Sequence, residues 1–155
     1  MNIVFKTASQ LAQMIRQKKV SAVEVLHAHL EQIEKYNPQI NAIATLNKER
    51  ALQRAFEADE ALARGENWGI LHGVPITVKD LLETANLTST AGYLLLKNYL
   101  PSQDATTVAR LKAAGAIILA KTNTPTFGED YQTQNPLFGR TNNPWNLDRT
   151  VGGSS

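Results

Sequence analysis

The chain has 155 residues, 43% of them apolar and 19% charged, a balance close to that of folded domains that gives no indication of disorder. A net charge of +2, with basic and acidic residues interspersed, gives no argument for a nucleic-acid or membrane-surface partner. The absence of cysteine excludes disulfides, thiolate catalysis and zinc–thiolate sites, and no apolar run suits a signal peptide or a bilayer span, so a cytoplasmic protein is expected.

Thr7-Ala8-Ser9-Gln10 has the form of a capping box and predicts a first helix, with Leu11, Met14 and Ile15 on its apolar stripe and Lys18-Lys19 near its end. Ser21-Ala22-Val23-Glu24 repeats that signature. Val23, Leu26, Leu30 and Ile33 then share one face, and Asn37-Pro38 predicts the stop. His27 and His29 are two residues apart and point away from one another on a helix, which argues for surface positions and against a shared metal. Asn41 to Leu46 is a short strand candidate. An alanine-rich helix follows from about Lys48 to Arg64, with Leu52, Ala55, Phe56 and Leu62 as expected core contacts and Gly65 as its end.

After the Gly69–Gly73 turn region, Val74-Pro75-Ile76-Thr77-Val78-Lys79 reads as a buried strand, its proline tolerable near the start. Residues 84–90 are loop-like, and Tyr93 to Leu96 form an apolar patch. Asp104 predicts a cap for a helix reaching Ala114, with Val108 and Leu111 inward and Gly115 as the stop. Ile117 to Ala120 form a second buried strand, and a strand, a helix and a strand in this order predict a parallel crossover. From Thr122 to Ser155 the chain is rich in Thr, Asn, Pro and Gly. That stretch is too long for an ordinary connection, so it is either disordered or a functional loop system. Phe127, Tyr131, Leu137, Phe138 and Trp145, with asparagines able to pin irregular backbone, favour the ordered reading within a parent protein but not for the piece alone. The organisation is thus a helical region over 1–68, a strand–helix–strand core over 69–121 and a loop region over 122–155.

Two features bear on chemistry. Lys79 ends an apolar strand, where it is either a surface lysine whose stem snorkels or a desolvated neutral base. Ser154 and Ser155 follow Gly152-Gly153, either as turn residues or as hydroxyls on a hinge whose backbone N–H groups approach an anion. Asp80 can pair with a cation, cap the next turn or serve as a structural carboxylate. His72 has no acidic orienter at an evident spacing and reads as structural.

Taken in register, several stretches resemble the amidase signature family. They are Gly73 to Asp80, Asp104 to Thr106 running on through Leu111 to Ala116, Lys121-Thr122-Asn123, Phe138 to Asn146, and Gly152-Gly153-Ser154-Ser155. The resemblance implies an α/β fold, with N-terminal helices and part of a mixed, mainly parallel sheet. It also implies a carboxamide hydrolase with a Ser–cis-Ser–Lys triad, a small-molecule amide as substrate, and no metal or organic cofactor. On the matching positions Lys79 is the lysine, Ser154 the bridging serine after a cis peptide bond, and Ser155 an auxiliary hydroxyl. No residue matches the nucleophile, so the chain is expected to be an N-terminal fragment that is inactive alone. Val151 stands where the family carries proline, and Thr126 where glutamate is common. Residues 124–130 look more like the general amidases than the related glutamyl-tRNA amidotransferase A subunit, which is the alternative within the family. A non-catalytic structural or interaction remnant is the alternative outside enzymes.

Overall fold

In the computed structural model, which describes residues 3–154, two capped helices come first. α1 (Ala8–Arg16) and α2 (Ala22–Ile40) both begin on a complete capping box, Thr7 with Gln10 and Ser21 with Glu24. Contrary to expectation, α2 does not stop at Asn37-Pro38. It runs on to Ile40 and closes on Asn41 at φ 55°. Pro38 falls in the last turn, where it removes only one ladder donor. Asn37 instead serves the next element. Its side-chain oxygen accepts from Ile43 N–H at 2.8 Å, and its amide donates to Ile43 C=O at 3.2 Å. Those two bonds start β1 (Ile43–Leu46).

α3 (Lys48–Ala63) buries an alanine stripe of Ala51, Ala55, Ala58 and Ala61, whereas Phe56 is 55% exposed. The expectation that Phe56 is a core residue is therefore wrong. Alanines three and four apart let α3 approach its neighbours closely, and a phenyl ring in that stripe would hold them apart.

β3 (Ile117–Thr122) is the middle strand of a three-stranded mixed sheet, antiparallel to β1 and parallel to β2 (Pro75–Lys79). The parallel pair is joined through α4 (Thr106–Ala113). Asp104 does not cap α4, which starts instead from Ala105. Its carboxylate accepts from Ala85 N–H at 2.8 Å and from Lys112 Nζ at 2.7 and 2.8 Å. A charge-assisted contact from the last turn of α4 has won over the cap.

Both faces of the middle strand are covered. Ile117 and Leu119 pack with Ile15, Val25, Leu26 and Val74 on the α1–α3 side, and Ile118 packs with Val78, Leu87 and Val108 on the α4 side. Burial of each such aliphatic side chain contributes about 1.5–3 kcal/mol, enough for these two clusters to fix where β2 ends. A register shift between Ile76 and Thr77 leaves Leu119 as an extra residue on β3. This bulge shifts the alternation by one and turns Lys121 toward the loop that follows β2.

The region beyond β3 is irregular but pinned. Two short antiparallel pairs form, β4 (Gln134–Asn135) with β5 (Gly139–Arg140) and β6 (Asn142–Asn143) with β7 (Asn146–Thr150). Asn41 donates to Phe138 C=O at 2.6 Å and to Arg140 C=O at 3.1 Å. Asn123 donates to Gly139 C=O and Thr141 Oγ1, and Asn135 donates to Asn123 Oδ1 and Thr124 C=O, both at 2.7 Å. These amides, of which Asn123 and Asn135 are buried, supply the partners that an irregular backbone lacks. Among the described residues no helix is long and apolar enough to cross a membrane.

Candidate active site

The site begins where β2 ends. Asp80 N–H donates to Thr122 C=O at 3.0 Å, so the sheet ladder continues just past Lys79 and fixes its backbone. From there the Lys79 side chain reaches Ser154, with Nζ 2.7 Å from Oγ. The peptide bond between Gly153 and Ser154 is cis. Strand and terminal hinge, far apart in sequence, thus meet through one hydrogen bond.

Three contacts place the hinge. Gly152 C=O accepts from Thr133 N–H at 2.9 Å and from Thr133 Oγ1 at 2.6 Å. Ser154 C=O accepts from Thr124 Oγ1 at 3.0 Å. Gly153 lies so close to the backbone of Asp130–Gln132 that a Cβ would come within 2.6 Å of Asp130 O, a clash no side chain survives. Gly128, at φ 71°, also lies against the pair: a Cβ there would stand 3.6 Å from Lys79 Nζ and 3.7 Å from Ser154 Oγ. Its missing side chain leaves room beside the pair.

Burial shifts Lys79 toward its neutral form. Desolvation lowers the Lys79 pKa below its ordinary value of 10.5, and among the described residues no carboxylate forms an ion pair with it. Asp80, its neighbour in sequence, is 1% exposed and faces away. Its carboxylate accepts from Thr90 N–H at 3.2 and 3.1 Å and from Thr90 Oγ1, so it is a structural carboxylate. As an ammonium, Lys79 donates to Ser154 Oγ. Once neutral, it can accept the Ser154 hydroxyl proton across the same distance.

His72 is structural as expected: Trp68 N–H donates to Nδ1 at 3.0 Å, and Nε2 lies 3.0 Å from Ala58 C=O. His27 is exposed, while His29 is partly buried with Nδ1 2.8 Å from Val25 C=O. Ser155 lies outside the described residues. No three His, Asp or Glu side chains come together as a metal site among the described residues.

Sequence reasoning missed the most buried cation. Lys121 is 0% exposed and donates to Leu82 C=O, to Thr84 Oγ1 at 3.2 Å and to Ser89 Oγ at 2.9 Å. Desolvation lowers its pKa to about 8 against the opposing pull of Asp80, Asp104 and Glu83. A lysine inside a strand covered on both faces was the available signal, but its hydroxyl partners lie in a loop whose path the sequence does not disclose. Thr124 and Thr133 were missed for the same reason.

The site thus consists of a lysine at the end of β2 hydrogen-bonded to a serine of the Gly-Gly-Ser hinge, on a mixed sheet packed by helices. The Amidase family model matches residues 24–155, and the chain belongs to that family, the amidase signature enzymes. Among similar proteins, the glutamyl-tRNA(Gln) amidotransferase A subunit of Carboxydothermus hydrogenoformans is 43% identical over 155 residues, 100% of this chain and 32% of its own length. The corresponding protein of Bdellovibrio bacteriovorus is 39% identical over 155 residues, 100% of this chain and 31% of its own length. A bacterial aryl acylamidase of the amidase signature family superposes with a TM-score of 0.92 at 31% identity, over 97% of this chain and 32% of that one. A fatty acid amide hydrolase gives 0.93 at 28% identity, over 98% of this chain and 27% of that one. The chain thus spans about a third of the length of the curated relatives it matches.

Proposed function

We propose that this chain supplies the lysine and bridging serine of a hydrolase acting on carboxamide C–N bonds. The observation that carries the reading is the 2.7 Å contact between Lys79 Nζ and Ser154 Oγ. In this mechanism neutral Lys79 takes the Ser154 hydroxyl proton while Ser154 Oγ takes a proton from an attacking serine. The attacking oxygen adds to the amide carbonyl, backbone N–H groups bind the oxyanion, and the tetrahedral adduct collapses. The departing amine receives its proton along the same path in reverse. Water then repeats the sequence to release the acid. The attacking serine lies outside these 155 residues in this reading, which the match to a third of each relative supports.

Two substrate readings remain within the family. The aryl acylamidase and the fatty acid amide hydrolase support a small-molecule amide. Identity of 43% over the whole chain to an amidotransferase A subunit supports release of ammonia from glutamine as the second reading. A panel of amides assayed with the full-length protein carrying this segment separates them. Either Lys79→Ala or Ser154→Ala lowers kcat by roughly a hundredfold or more. Wild-type turnover in both variants would remove the relay.

A further inference from the structure

Ser154 is held by a residue that the triad does not include. Thr124 lies two residues past the end of β3 and is 0% exposed. Its N–H donates to Asn123 Oδ1 at 3.0 Å, and its C=O accepts from Asn135 Nδ2 at 2.7 Å. The backbone of Thr124 is therefore fixed on both sides, and its hydroxyl is a fixed donor aimed at Ser154 C=O, 3.0 Å away.

Lys79 alone does not define where Ser154 points. A lysine has four rotatable bonds and can follow a hydroxyl through a range of positions at the same distance. Direction has to be set from the serine's side. The hinge has two such holds, and they differ. Gly152 C=O keeps the 2.9 Å bond from Thr133 N–H even when the Thr133 hydroxyl is removed. Ser154 C=O depends on the Thr124 hydroxyl alone among its described partners.

We propose that Thr124 is a positioning residue of the site, its hydroxyl fixing the Ser154 carbonyl so that Ser154 Oγ faces both Lys79 and the attacking hydroxyl. The inference rests on the relay reading of Lys79 and Ser154. It assigns Thr124 an effect on turnover and none on substrate binding, because its hydroxyl is engaged by the serine's carbonyl.

The test compares kcat, KM and thermal midpoint in the full-length protein carrying this segment, for wild type, Thr124→Val, Thr124→Ser, Thr133→Val and Lys79→Ala. Thr124→Val lowers kcat about tenfold with KM within about twofold, a loss confined to the transition state. Thr124→Ser, which keeps the hydroxyl, stays within about threefold of wild type, and so does Thr133→Val. The inference is overturned by wild-type kcat in Thr124→Val, by equal losses in Thr124→Ser and Thr124→Val, or by losses that track thermal midpoint across all three threonine variants. Lys79→Ala separates the two levels. Wild-type turnover there, or a wild type that hydrolyses no amide, removes the relay and this inference together. An inactive Lys79→Ala beside an unimpaired Thr124→Val removes the inference alone.

Discussion

The missing side chain of Gly128 sets how much room lies beside Lys79 and Ser154. Gly128→Ala puts a methyl group 3.6 Å from Nζ and 3.3 Å from Leu81 Cδ2, and it also forces alanine into a left-handed conformation. Gly65→Ala imposes the same conformational cost, about 1–2 kcal/mol, in open space. Comparable stability losses are expected in both variants, with turnover reduced about tenfold only in Gly128→Ala. Equal turnover in the two would show that the space is not used. Lys121 makes a second residue-scale prediction. Its folded pKa of about 8 lies below its ordinary 10.5, so between these values the unfolded chain holds a proton that the folded chain has released. Stability therefore rises with pH across that window and falls again as pH drops toward 8. In urea titrations from about pH 7.5 to 10 the wild-type midpoint should gain on that of Lys121→Met, which has nothing to titrate. A constant difference would contradict the burial of a charge. At this scale a lysine ending an apolar run and a Gly-Gly-Ser-Ser hinge leave a local trace that marks Lys79 and Ser154 as candidates, while the roles proposed for them come from the family resemblance. Thr124, Thr133 and Lys121 were not, because their roles consist of partners far along the chain, in loops whose paths are set by packing.

Elements with local determinants were readable, and those decided by packing were not. Both capping boxes form as their spacing requires, and the strand–helix–strand order gives the parallel β2–β3 pair. The end of α2 differs from expectation because Asn37 serves β1 while Pro38 is tolerated in a last turn. The face of α3 differs because hydrophobicity favours Phe56, whereas close packing selects alanine. The region after β3 offers the sharpest element-scale test. Asn135 donates to Asn123 and Thr124 and accepts from Leu137 and Phe138 N–H at 2.9 and 2.8 Å. Asn135→Ala orphans these groups at a cost of about 2–3 kcal/mol. Limited proteolysis should then cut within residues 124–150 well before it cuts the helices. A digestion pattern like that of wild type would contradict the pinned loop.

At the scale of the molecule, β1 and β2 each pair with another strand on one side only, among the described residues. Leu94, Leu95, Leu100, Tyr131 and Trp145 are exposed, the last at 95%. Open edges and apolar surface of this kind promote association. The 155-residue chain purified by itself is expected to self-associate and melt over a broad range, and a sharp transition from a clean monomer would contradict that. It is also expected to take no label from a fluorophosphonate probe, since the proposed reading puts the attacking serine outside these residues. The central claim is that Lys79 and Ser154 act as one unit, and a double-mutant cycle on amide hydrolysis by the full-length protein tests it most directly. If the pair is one relay, the Lys79→Ala, Ser154→Ala double variant loses no more turnover than the worse single variant. Losses that multiply would show two residues acting independently and would contradict the relay.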